Sequence, residues 1–152
     1  MSISFFIPNA PKRWVSALEE FPNLVPDDFR DDPFIKWRDN VPYIEKSSLP
    51  DLNVSIYTYH SILKNALYHA VDDKELLEEG WGTWKSSDAL KKAKTNLLAY
   101  LATGAQNDIR EEIVEGNMTT AGYDLERIER IVYQLISVID AAIENGLTVS
   151  WG

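Results

Sequence analysis

Apolar positions recur along this chain at two periods, close to two near the ends and close to three and four in between. Residues 2–7 are β-branched or aromatic and are stopped by Pro8, which predicts a strand. Asn9 is then placed to cap a helix with Pro11 in its first turn, and Trp14, Leu18 and Phe21 follow at helical spacing until Pro22. Residues 22–51 hold five of the seven prolines, so only a short helical turn over 33–38 and an edge strand over 41–45 are expected there. Residues 52–54 read as a brief strand, with Ser55 as the cap of the next helix. Ile56, Tyr59, Leu63, Ala66, Leu67 and Ala70 repeat at three- and four-residue steps, which predicts a core-facing helix over 56–71.

Asp72 or Asp73 caps a shorter helix that runs to Glu79 and stops at Gly80. The segment Trp81-Gly82-Thr83-Trp84 reads as a tight aromatic loop. Ser86 or Ser87 opens a further helix with Leu90, Ala93, Leu97 and Leu101 on one face and Gly104 past its end. Residues 105–122 fit two patterns. Ile109 and Ile113 favour a helix, whereas EEIVEG would suit a strand leading into a loop over 117–122. The clearest element follows: Asp124 as cap, Leu125, Ile128, Val132, Leu135, Ile139 and Ala142 as the apolar stripe, and Gly146 as terminator. The polar face of that helix carries Glu126, Arg127, Glu129 and Arg130. Residues 147–151 then alternate as a strand. Strands at both ends invite pairing, so the expected fold is a helix-rich α+β single domain over 1–152 whose small sheet unites N- and C-terminal strands.

Composition narrows the function classes. The 152 residues carry 24 Asp and Glu against 15 Lys and Arg, a net charge of −9, with two His and no Cys. Thiolate metal sites and disulfides are therefore excluded. An aromatic content of 11% excludes a disordered acidic tail. The N-terminal apolar run has no basic flank and is cut by Pro8, and no stretch approaches the ~20 apolar residues of a membrane span, which predicts a soluble cytoplasmic protein without a membrane partner. The sequons at Asn53 and Asn117 then have no secretory context. Charge is uneven: residues 27–32 sum to −3, 72–80 to −4, 108–146 to −6, and 81–107 to +3. Carboxylates repel phosphate backbones, so nucleic acid is not the expected partner; a basic protein is.

Catalytic vocabulary is sparse. His60 and His69, nine residues apart on one helix, point to roughly opposite sides and do not share a metal. No carboxylate loop or Glu-x-x-His pair marks a metal, and no glycine pattern cradles a phosphate, so no cofactor is expected. The carboxylate pairs at 27/28, 31/32, 72/73, 78/79 and 111/112 sit in polar runs where both members stay solvated, unlike a catalytic acid–base pair. Ser55 lies between a strand and a helix with His60 five residues on, but NVSIY lacks the glycines of a nucleophile elbow and suits a cap.

What remains are surfaces. The acidic run Asp72, Asp73, Glu75, Glu78 and Glu79 adjoins Trp81 and Trp84, a pairing of steering charge with aromatic anchors. This predicts a non-enzymatic acidic interaction module that binds and blocks a basic protein, in the manner of immunity proteins or phage-encoded inhibitors. The alternative is a small-molecule-binding domain or enzyme with a pocket lined by Tyr57, Tyr59, His60 and Tyr123. A DNA mimic is a further alternative, opposed by the clustering of the carboxylates and the positive 81–107 segment.

The N-terminal ISFFIP, the DLNVS segment opening a helix, and GY followed by a long helix ending in GLTVSWG resemble a family of small uncharacterised bacterial proteins. The resemblance covers these three stretches. It implies a bacterial or phage origin and an α+β fold, and brings no activity or site residue with it.

Overall fold

A computed structural model describes residues 1–68, 71, 74–120 and 122–152. His69, Ala70, Asp72 and Asp73, which the sequence assigned to a helix and its neighbouring cap, lie outside the described residues. The chain is α+β and divides into two compact units, Met1–Asn9 with Pro50–Gly152, and Ala10–Leu49.

The first unit is built on a four-stranded antiparallel sheet. Its strands are β1 (Ser2–Phe6), β5 (Leu52–Ser55), β6 (Gly82–Trp84) and β9 (Val149–Trp151), ordered β5-β1-β9-β6. The terminal strands do pair: Phe5 opposes Trp151, and Ser4 and Gly152 exchange backbone hydrogen bonds of 3.0 and 3.1 Å. Period-two alternation sorts the faces. Ile3, Phe5, Leu52, Val54, Trp84, Val149 and Trp151 are buried on one side. The other side is a polar lattice in which Asn53 Nδ2 donates to Ser4 Oγ at 2.7 Å and the Thr83 and Ser150 hydroxyls meet at 3.0 Å.

The long helix α6 (Leu125–Asn145) has its apolar stripe buried at Ile128, Val132, Leu135, Ile139 and Ala142. Asp124 Oδ1 accepts from the Arg127 N–H at 2.8 Å, and Gly146 closes the helix at φ 65° as Leu147 N–H reaches back to the Ala142 carbonyl at 2.9 Å. Helix α5 (Ser87–Thr103) is capped by Ser86 and buries Leu90, Ala93, Leu97 and Tyr100; Lys94 bridges it to Asp140 of α6 at 2.8 Å. The expected 56–71 helix is present in part. α2 (Ile56–Thr58) starts under the Ser55 cap, a π-helical stretch Tyr59–Leu63 follows, and α3 (Lys64–Leu67) continues it. Tyr59, Ile62 and Leu63 are buried within the π stretch, and Ala66 and Leu67 continue that face.

Within 105–122 the strand alternative prevails over the helix. A 3₁₀ turn over Ala105–Asp108 precedes the hairpin β7 (Ile113–Glu115) and β8 (Met118–Thr120). Its two-residue turn puts Gly116 first at φ 60°, the glycine-first arrangement of type II′ hairpins, while Ile109 and Ile113, the supposed helical pair, are both exposed.

The second unit departs furthest from its sequence reading. Instead of a helix from Asn9, it has strand β2 (Lys12–Ser16) with a four-residue α1 (Ala17–Glu20) behind it. Five register pairs join β2 to β4 (Val41–Ser47), and β3 (Lys36–Arg38) pairs on the other side, so β4 is central and not an edge strand. Residues 33–38, expected as a helical turn, end in β3; the short helical turn lies at Pro26–Phe29. Asp39 and Asn40 both take positive φ, 50° and 63°, the type I′ turn that suits a two-residue hairpin. That turn makes Arg38–Val41 the bonded pair, which leaves Trp37–Pro42 a non-bonded one. The missing Pro42 N–H would have faced β2 beyond its last paired residue, Ser16. A proline is therefore tolerated in a central strand.

Candidate functional site

The acidic run is only partly described. Helix α4 (Lys74–Glu79) ends at Gly80, whose φ of 77° redirects the chain into β6. Trp81-Gly82-Thr83-Trp84 is thus the approach to a strand and the strand itself, not a loop. Alternation then separates the two tryptophans: Trp81 is 53% exposed, and Trp84 is 4% exposed, with its ring 4.6 Å from that of Trp151. Trp84 belongs to the core and is not on the surface assigned to it. Gly82 is required here because the Trp151 indole lies where a β-carbon would be. Trp81 is held from below, its indole N–H donating to Glu79 Oε2 at 2.6 Å. Glu78 pairs with Lys64 at 2.5 Å, and the Lys74 ammonium sits 3.9 Å over the Tyr68 ring, so cations are interleaved with this acidic face.

The four residues of the alternative pocket do not converge. Tyr59 is fully buried and donates to the Leu77 carbonyl at 2.9 Å; Tyr123 is 2% exposed, its hydroxyl 3.4 Å from Thr58 Oγ1. Tyr57 and His60 face solvent, and His60 stands edge-on to the Tyr59 ring at 5.2 Å. Burial pushes the Tyr59 phenol up to about 12; the neighbouring Trp151 indole opposes this weakly, since its N–H closes no hydrogen bond, and the Glu78 charge adds to it. Helical spacing placed Tyr57, Tyr59 and His60 near one another in sequence, but consecutive helical positions point in different directions. Among the described residues no group of three His, Asp or Glu is placed to hold a metal ion, and no helix is long and apolar enough to cross a membrane.

Many carboxylates elsewhere are engaged locally. In the 27–32 run, Asp28 and Asp32 accept from the backbone N–H of Val25 and Phe34 at 2.8 and 2.9 Å, and Asp27 pairs with Arg30 at 2.8 Å. Asp108 is 9% exposed and accepts from the Tyr100 hydroxyl at 2.5 Å and from Asn65 Nδ2 at 3.3 Å. Burial, then the hydrogen bond to Asp108 and its charge, hold the Tyr100 phenol protonated far above its ordinary range.

The structure also brings together what the sequence kept apart. Three of the chain's six arginines, Arg110, Arg127 and Arg130, line one cleft of about 470 Å³ along with Glu112, Asp124 and Glu126. Arg110 and Tyr123 exchange backbone hydrogen bonds of 2.9 and 2.8 Å, and this close approach needs Gly122, where a β-carbon would stand 2.5 Å from the Arg110 carbonyl oxygen. Arg127 is fixed twice: its Nη1 donates to the Gly122 carbonyl at 3.1 Å, and its guanidinium lies 4.8 Å over the Tyr123 ring. Arg127 and Arg130 also face a second groove of about 300 Å³, between α6 and the outermost strand β5, where they are the only charged lining residues among those described. In sequence they read simply as members of a polar helix face. Their arrangement depends on the Arg110–Tyr123 bridge, which no local pattern announces.

In the second unit, Trp14 is 46% exposed and shares a depression of about 440 Å³ with Lys36, Arg38 and Tyr43; the Lys36 ammonium stands 5.3 Å from the Trp14 ring. Comparison of the chain with protein-family models, curated proteins and solved structures gives no match.

Proposed function

We propose that the chain is a non-enzymatic interaction module that binds and blocks a basic protein partner through the face formed by α4 and Trp81, as immunity proteins and phage-encoded inhibitors do. The observation that carries this reading is Trp81 itself: a large ring half exposed to solvent, yet held in one orientation by Glu79. An exposed aromatic whose rotamer is already fixed loses little entropy on binding and serves as a desolvated anchor. A net charge of −9 favours encounter with a basic partner and disfavours acidic competitors. Glu75 and Glu78 would act in steering and Trp81 in retention; Trp84, being buried, has no part in the contact.

The test is capture of binding proteins from a bacterial lysate by the tethered full chain, followed by kinetics on the recovered partner. The partner should be basic, and its association should slow with added salt. Trp81→Ala should raise the dissociation rate at a cost of about 2 kcal/mol with association unchanged. Glu75→Lys with Glu78→Lys should lower the association rate, most at low salt. A partner whose binding ignores both salt and these substitutions would place the interface elsewhere.

A further inference from the structure

We infer that the free edge of β5 and the arginine-bearing start of α6 form a docking groove for an extended acidic peptide segment, which binds as an added strand. β5 is outermost in its sheet, with only β1 beside it. The phase of its hydrogen bonding follows from two contacts. The Ile56 N–H donates to the Met1 carbonyl at 3.1 Å, and Ser4 spends both its backbone groups on Gly152 on the opposite side of β1. In register, Ile3–Val54 and Phe5–Leu52 are then the bonded pairs, and Ser4–Asn53 and Ser2–Ser55 the non-bonded ones. The Asn53 N–H and C=O and the Ser55 N–H therefore point out of the sheet, and among the described residues they have no backbone partner. Such an edge is a template for another strand unless it carries a lysine, a proline or a bulge, and β5 carries none of these.

The groove beside this edge fixes the chemistry of the occupant. Among the described residues its charged lining is Arg127 and Arg130, with Val54 and Ile131 as apolar surface and Gln134 as a further polar group. Two guanidiniums without a carboxylate in the same groove call for acidic side chains on the incoming strand. Arg127 is already positioned by Gly122 and Tyr123. Strand addition supplies main-chain hydrogen bonds for affinity, while pockets for alternate side chains supply selection. A four-residue edge at ~3.3 Å per residue accepts a segment of similar length. This groove shares no residue with the α4–Trp81 face, so the inference stands apart from the reading above.

The probe is a capped, fluorophore-labelled hexapeptide alternating Val and Asp, with its Asn counterpart as the neutral arm, titrated against the full chain by anisotropy. The Asp peptide should bind saturably and the Asn peptide at least about tenfold more weakly, as loss of charge-assisted hydrogen bonds implies. Arg127→Gln with Arg130→Gln should erase the difference between the two peptides. Asn53→Pro removes the outward N–H without touching the backbone bonds to β1 and should abolish binding, whereas Asn53→Ala, which loses the same side-chain bond to Ser4, should retain it. Should the proline variant fail to fold, amide exchange decides: Asn53 and Ser55 in the unmodified chain should gain protection when the Asp peptide is added. Equal binding of both peptides, unchanged binding by a folded Asn53→Pro, or no protection at these amides would overturn the inference. So would a concentration-dependent dimer in sedimentation that Asn53→Pro disperses, because a second copy would then be the occupant.

Discussion

The four-stranded and three-stranded sheets of this chain are made of similar residues and use them in opposite ways. In the first, aromatic rings turn inward: Phe5, Trp84 and Trp151 are at most 4% exposed and pack ring to ring. In the second, Trp14 and Trp37 are 46% and 40% exposed although they occupy strands of equal regularity. The difference lies in what covers the strands. α6 and the Tyr59 ring give the first sheet a dry face, and alternation becomes obligatory because a one-residue slip would turn every ring to solvent. The three-stranded sheet of Ala10–Leu49 buries few apolar side chains within its own unit, chiefly Ala10, Ala17 and Phe29, and is held by its ladder, its turn and the Lys46–Glu20 pair at 3.0 Å.

The sharpest way to break this contrast is to remove the same residue type from each sheet. Trp151→Ala should cost about 3–5 kcal/mol in urea denaturation, because it empties the centre of a closed ring cluster. Deleting residues 147–152 should abolish cooperative unfolding of the first unit altogether. An unchanged denaturation curve for the truncated chain would mean that β9 is not structural.

A smaller effect is expected where one side chain occupies another residue's missing β-carbon. Gly82→Ala forces the Trp151 indole to shift and should cost about 1–3 kcal/mol, readable as a lowered midpoint. If Gly82→Ala is silent, the ring has room that this packing does not allow.

Alkaline titration addresses the same dry face. The Tyr59 phenol ionises at about 12 in the folded chain and near 10 when unfolded, so the folded state holds its proton more tightly. Its contribution to stability is complete below pH 10 and is lost as the pH rises through about 12. Tyr100, raised further by Asp108, shifts in the same direction. Phenolate absorbance from Tyr59 and Tyr100 should therefore appear only above pH 10, and the urea midpoint should fall over that interval. Simultaneous ionisation of all seven tyrosines would contradict the burial of both phenols.

The smallest effect belongs to the second sheet. Trp14→Ala should change stability by no more than about 0.5 kcal/mol, as for other surface positions. A large loss would show that Trp14 is covered by something its exposure does not reveal.

The same contrast explains what could be read in the sequence. β1, α5 and α6 were legible because each has one buried face, and burial imposes a period on the apolar residues. Strand β2 was not, since both its faces are largely solvated; Trp14, Leu18 and Phe21, at four- and three-residue steps, then imitate a helical stripe. Gly82 looked like a loop residue because its real cause, the indole of Trp151, lies at the far end of the chain. The arginine grooves were illegible for a related reason. Arg110 and Arg127 are neighbours only because Gly122 admits a backbone approach, and a glycine followed by a tyrosine carries no sign of that geometry.

The pairing of Phe5 with Trp151 also sets a schedule. During synthesis β1 leaves the ribosome well before one of its two neighbours, which is made more than a hundred residues later. Until then Ile3 and Phe5 have no β9 beside them, and one side of β1 is an open edge. Helices α5 and α6 can form from local contacts in that interval, but the sheet that α6 covers must wait for the closure of a loop of more than a hundred residues. Folding of this unit should therefore be slower than its helical content suggests.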